Sequence, residues 1–220
     1  MQRAYGLDIP ATLSDLCDPR HMAVLIYDMQ AGIVSQISDG ARVTERVVDL
    51  IEAARAGGFR IVYLRHMYLP KEMAGVSQLR TAMAWQRVER VRDVKSRFLH
   101  NSPEFQLAPE ISPHASEVVF DKITMSAFAG TPLDIVLRDC DIKSFAIAGI
   151  ALEIGIEPTV RHAMDLGYIP VLVTDACGSG DKAAGERSLA SLAAFGGSLQ
   201  TEVGTLAPLL RRCTRPPMEE

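Results

Sequence analysis

The sequence predicts a single-domain, three-layer α/β/α fold of Rossmann-like type, built on a central, mainly parallel six-stranded sheet. Three observations carry that prediction. Short apolar runs recur along the chain, nearly uninterrupted, as strands covered on both faces require. Stretches with helical apolar spacing lie between them. The 220 residues, 48% of them hydrophobic, suit one domain spanning 1–220 with a sizeable core.

The first strand is expected at residues 23–27, an apolar run that ends at Asp28. A helix follows over 42–56: apolar residues at 43, 47, 48, 51 and 54 recur at helical spacing, and Gly57-Gly58 stop it. Strands are expected at 59–64 and 117–120. A short helix over 133–140 begins after Pro132 and leads to a strand at 144–150. Residues 158–166 read as a helix ended by Gly167. A strand at 169–174, a helix over 181–195 ended by Gly196-Gly197, and a weaker strand around 198–203 complete the pattern. Residues 67–116 break the rhythm. They hold Trp85, a mixed charge run from 87 to 97, and prolines 103, 109 and 113. They are expected to form either a lid or subunit contact over the sheet's carboxyl edge, or a solvated helical face.

Composition narrows the function classes. Lys and Arg number 23 against 27 Asp and Glu, a net charge of −4. No basic cluster stands out, so no nucleic-acid partner is expected. The longest nearly uncharged run, around 144–155, is shorter than the ~20 residues of a membrane span. Met1-Gln2-Arg3-Ala4 lacks an apolar leader region, so a cytoplasmic chain is expected. The four cysteines, at 17, 140, 177 and 213, show no CxxC and are expected as reduced thiols.

In open α/β sheets, ligands bind beyond the carboxyl ends of strands. That rule selects Asp28, Asp121-Lys122 and the loop 150–155. A carboxylate and an amine meeting in a partly buried cleft perturb each other. Lys122 holds Asp28 ionised, or burial lets the two share a proton. Either state serves acid–base work. In the alternative, Asp28 caps a loop and Lys122 points to water.

Ile26-Tyr27-Asp28-Met29-Gln30 resembles the first motif of the isochorismatase-like (cysteine hydrolase) superfamily. Lys122-Ile123-Thr124-Met125-Ser126-Ala127-Phe128-Ala129-Gly130-Thr131 is similar to its lysine motif. Residues 148–163, from Ala148-Gly149-Ile150 to Arg161-His162-Ala163, resemble its third motif, and Thr174-Asp175-Ala176-Cys177 the segment after the next strand. The motifs come in family order over about 20–205. The resemblance implies catalytic roles for Asp28 and Lys122 and a cis peptide between Ile150 and Ala151. It implies that the N–H groups of Ala151 and Gly155 form an oxyanion site at the start of the following helix. It also implies a small-molecule substrate and a homodimer or homotetramer.

One departure matters more than the match. Counted from Gly149, the family's nucleophilic cysteine falls at Gly155, which has no thiol. None of the four cysteines lies where it could replace it. Amide hydrolysis through a thioester needs that thiolate and is disfavoured. Three readings remain. The first is cofactor-free acid/base hydrolysis of a small carboxylated substrate by vinyl-ether chemistry. The isochorismate-hydrolysing members also look like this at the glycine, and their reaction needs an acid, here Asp28 with Lys122 assisting. This chain departs from them at Ile123-Thr124-Met125, where they have Trp-Arg-Tyr, and at Ala31-Gly32, where they have aromatic residues. The second is water-mediated amide or C–N hydrolysis, with Glu153 as a second carboxylate beside Asp28. The third is a non-catalytic metabolite- or partner-binding module.

Arg65 is a candidate for a substrate carboxylate, His66 for the pocket wall, and Trp85 and Phe128 for ligand walls. His66 has no second histidine nearby, so no metal is expected. Gly178-Ser179-Gly180 lacks the Lys-Ser/Thr of a phosphate loop, and no GxGxxG follows the first strand. No cofactor is expected.

Overall fold

A computed structural model describes residues 1–213. An antiparallel pair, β1 (Gln2–Ala4) and β2 (Leu7–Ile9), and a short α1 (Leu13–Leu16) precede the main sheet. There follow β3 (Met22–Tyr27), α2 (Ala31–Val34), α3 (Gly40–Ala56), β4 (Arg60–His66), α4 (Val76–Gln86), β5 (Val118–Lys122), α5 (Leu133–Asp139), β6 (Ser144–Ile150), α6 (Glu157–Asp165), β7 (Ile169–Gly178), α7 (Lys182–Phe195), β8 (Leu199–Thr201) and α8 (Val203–Arg212). The main sheet has six strands in the order β5-β4-β3-β6-β7-β8. Every pairing in it is parallel. The chain builds outward from β3 to β5, then returns to the other side of β3 with β6. The switch point therefore lies between β3 and β6, where open α/β sheets bind ligands.

Burial explains the apolar runs. All six residues of β3 are buried. Ala23, Leu25 and Tyr27 face the layer that contains Leu133 and Leu137 of α5, Val160 of α6 and Leu192 of α7. Val24 and Ile26 face the opposite layer, with Val43 and Val47 of α3 and Leu206 of α8. Each successive side chain thus meets a helix, so no polar position interrupts the run. Residues 67–116 hold α4 and two 3-10 turns, Val91–Asp93 and Pro103–Phe105. A bridge between Gln30 and Leu107 ties this excursion to the carboxyl end of β3. Among the described residues, no helix is long and apolar enough to cross a membrane.

Close approach of β3 and β6 depends on Gly149. Its φ is +132°, and a Cβ there lies 1.9 Å from the Tyr27 carbonyl oxygen. Gly149→Ala is expected to cost about 3 kcal/mol or more, from the disfavoured backbone plus overpacking. The shift of the urea midpoint at unchanged m-value measures it.

Candidate active site

The side-chain period of two sorts the strand ends. Tyr27, His66 and Lys122 continue the face of Leu25, Leu64 and Phe120, whereas Arg65 and Asp121 take the opposite one. His66 and Lys122 are register partners on β4 and β5. Asp28, just past β3, has a φ of +50°, a left-handed conformation that Asp tolerates better than most residues. Its Oδ2 accepts a hydrogen bond from Lys122 Nζ at 2.8 Å, across the intervening strand. Both side chains are almost wholly enclosed, at 8% and 0% exposed. Lys122 also donates to the Thr124 carbonyl at 3.3 Å and stands 4.1 Å from the Tyr27 ring centre. Asp28 Oδ1 is buried without a partner.

Burial pushes the Asp28 carboxyl up to about 6, against the pull of the Lys122 ammonium. Burial also lowers Lys122, against the pull of Asp28. Burial thus moves both members towards their neutral forms, and each opposes that shift in the other. Gln30 fixes the neighbouring strand end. Its Oε1 accepts from the His66 N–H at 2.7 Å, and its Nε2 donates to the carbonyls of His66 and Phe105 at 3.0 and 2.8 Å.

A cavity of about 500 Å³ opens over this edge. Tyr27, Asp28 and His66 line it from the strand ends, Ile150, Ala151, Ile154 and Gly155 from the loop after β6. Tyr68, Trp85, Arg87 and Phe98 line it from the excursion. The Ile150–Ala151 peptide is cis. At Gly155 the space for a side chain is already taken: a Cβ there meets the Tyr27 hydroxyl oxygen at 2.1 Å. Tyr27 is buried, and its hydroxyl donates to the Met125 carbonyl. Burial holds its pKa well above the usual tyrosine range, so it stays a phenol.

A family model described as the isochorismatase domain matches residues 22–202. The chain belongs to the isochorismatase family. Among curated isochorismatase-like relatives, the ureidoacrylate amidohydrolase RutB of Cronobacter sakazakii is 28% identical over 173 residues, covering 72% of this chain and 75% of that protein. The RutB of Acinetobacter baylyi is 26% identical over 174 residues, covering 72% and 71%. Among solved structures, a cysteine hydrolase from Pseudomonas syringae pv. phaseolicola superposes with a TM-score of 0.76 at 22% identity, covering 90% of this chain and 95% of that one. The N-carbamoylsarcosine amidase of Thermoplasma acidophilum gives 0.68 at 19% identity, covering 83% and 96%. These two likenesses establish the fold, and the family match makes this chain an isochorismatase-family hydrolase.

Within this candidate site, four sequence expectations are corrected. Arg65 points to the other face of the sheet, where Asp121 holds it at 2.8 and 3.2 Å over the Phe105 ring. It does not line the cavity, so it does not face a substrate carboxylate bound there. Phe128 packs into the core against Tyr168 and Phe145, 5.6 and 6.1 Å between ring centres, and does not line the cavity. Glu153 turns towards the start of α7, where Oε1 accepts from the N–H groups of Gly180 and Asp181 at 2.8 and 2.9 Å. It lies outside the cavity lining, so it does not supply a second carboxylate beside Asp28. The Gly155 N–H donates to the Ala151 carbonyl at 3.0 Å within the π turn Leu152–Ile156, so it is not aimed at a substrate oxygen. Trp85 does reach the cavity wall. No cysteine does, and burial pushes the Cys177 thiol up to about 12. Sequence reasoning missed the placement of Tyr27, which reads as the last apolar residue of its strand, and the clamp made by Gln30.

Proposed function

We propose that this hydrolase works without a thiol and without a cofactor: Asp28 moves the proton, Lys122 tunes its charge, and water attacks. The observation that carries this reading is the Tyr27 phenol filling the slot at Gly155, beside a buried carboxyl with one free oxygen. A carboxyl held near 6 is an effective acid at neutral pH. On a small carboxylated enol ether, Asp28 gives its proton to the enol-ether carbon. The oxocarbenium ion so formed takes up water, and that water returns a proton to Asp28. The hemiketal then collapses to a ketone and an alcohol. Lys122 steadies the carboxylate left after the first step. Arg87 is the cationic side chain among the cavity-lining residues and takes the role first assigned to Arg65 for a substrate carboxylate.

A second reading, water-mediated amide or C–N hydrolysis, is favoured by the names of the curated relatives. Asp28 then starts ionised, takes a proton from water and delivers it to the leaving nitrogen, with Glu153 playing no part. The two readings differ in the sign of their pH dependence. If Asp28 acts as the acid, kcat/KM is level below about 6 and falls about tenfold per pH unit above it. If it acts as the base, kcat/KM rises to a plateau above about 6. Profiles on isochorismate and on ureidoacrylate separate them, and turnover that ignores pH across this range contradicts both.

The reading includes a cytoplasmic setting, supported by four free cysteines. It also includes a homodimer or homotetramer in which the 67–116 excursion acts as lid or contact, supported by the exposed Met73 and Val76. A monomeric mass by light scattering contradicts that assembly.

A further inference from the structure

The cavity holds a second buried polar group that the chemistry above does not use. His66 ends β4 and is 6% exposed, and its Nε2 is buried without a partner. A buried ring nitrogen with no hydrogen bond carries a desolvation penalty that packing alone does not explain. The surroundings hold this ring in place without satisfying that nitrogen. Gln30 clamps only the backbone of His66, on both its N–H and its carbonyl. Tyr68 meets the ring edge to face, with 5.0 Å between centres and an interplanar angle of 87°. Burial and the Lys122 ammonium lower the imidazole to about 3, so it is neutral at working pH. A neutral imidazole presents one N–H and one lone pair, which suits an uncharged polar group. It is too weak a base to compete with Asp28 for the proton.

We propose that His66 is a substrate-positioning residue whose ring hydrogen-bonds an uncharged polar group of the substrate (a hydroxyl, ether oxygen, amide or ureide) beside the Asp28 carboxyl. This rests on the cavity being the active site. It deepens that reading by making selection of an uncharged polar group a property of β4.

The test uses binding as well as turnover. Trp85 is the chain's one tryptophan and lines the cavity, so its emission reports occupancy without catalysis. Wild type, His66→Phe and His66→Gln are titrated with benzamide, N-carbamoylglycine and 3-hydroxybenzoate. Phenylalanine keeps the packing against Tyr68, and glutamine restores a donor and an acceptor. At least one probe is expected to bind about tenfold more weakly to His66→Phe and to recover to within about threefold in His66→Gln. On a turned-over substrate, KM rises in His66→Phe while the pH limb near 6 stays, because that limb belongs to Asp28. Superimposed titrations of wild type and His66→Phe for all three probes, or no recovery with glutamine, overturn the proposal. Loss of the proposed function shows separately, as turnover that survives Asp28→Asn.

Discussion

Asp28→Asn lowers kcat by about 10²–10⁴-fold in a protein that remains folded, the range lost with a positioned acid or base. Asparagine keeps an oxygen for Lys122 Nζ, now 2.8 Å from Oδ2, but puts an amide NH2, which is not an acid in water, at the free Oδ1 position. Lys122→Met gives a loss of similar size, because Asp28 then has no partner to stabilise its ionised form. Asp28→Ala behaves differently in stability. It strands the Lys122 ammonium in a buried site, and breaking such a pair from one side costs about 3–5 kcal/mol. Urea unfolding of the two Asp28 variants separates the effects. Equal destabilisation by Asn and Ala, or wild-type turnover in Asp28→Asn, contradicts the assigned role.

Gly155→Cys, which puts a thiol where the motif resemblance counts the family's cysteine, is expected to yield a destabilised protein with no gain in activity. The new side chain runs into the buried Tyr27 phenol, and overpacking of this kind costs about 1–3 kcal/mol. Tyr27→Val combined with Gly155→Cys opens the slot and sets a thiol next to the Asp28–Lys122 pair. That double variant is expected to gain amide hydrolysis at least about 10²-fold above wild type and to lose it on treatment with iodoacetamide. The two substitutions are strongly coupled, as close neighbours are, so the double variant recovers stability that the two singles together do not predict. Gly155→Cys as stable as wild type and readily alkylated contradicts the view that the phenol owns this space.

Much of the fold was legible because its sheet is parallel and covered on both faces. Ala23 to Tyr27 and Ser144 to Ile150 read as unbroken apolar runs, since every residue there is buried. Elements that bury little were not legible. The strands Gln2–Ala4 and Leu7–Ile9 have three residues each and are mostly exposed. Helix Val76–Gln86 buries only Ala82, so no apolar stripe announces it. Helix Val203–Arg212 carries Pro208 in its interior, a residue that ordinarily argues against a helix.

The geometry of the candidate site was legible where motifs spell it out: Asp28 and Lys122 do meet, and Ile150, Ala151 and Gly155 do line the same cavity as Asp28. It failed where direction matters. Arg65 and His66 are adjacent on a strand, so only one of them can face the cavity, and the period of two carried that information. Glu153 was misassigned because a π turn swings it towards Gly180. The match between a large Tyr27 and a side-chain-free Gly155 spans 128 residues of sequence and emerges only when β3 and the loop after β6 come together.

The most direct measurement is product release from isochorismate and from ureidoacrylate by wild type and by Asp28→Asn, each with and without prior iodoacetamide treatment. The account predicts turnover of at least one substrate by the wild type, unchanged by alkylation and lost in Asp28→Asn. Turnover of either that alkylation abolishes, or that Asp28→Asn retains, contradicts thiol-free catalysis by this carboxyl.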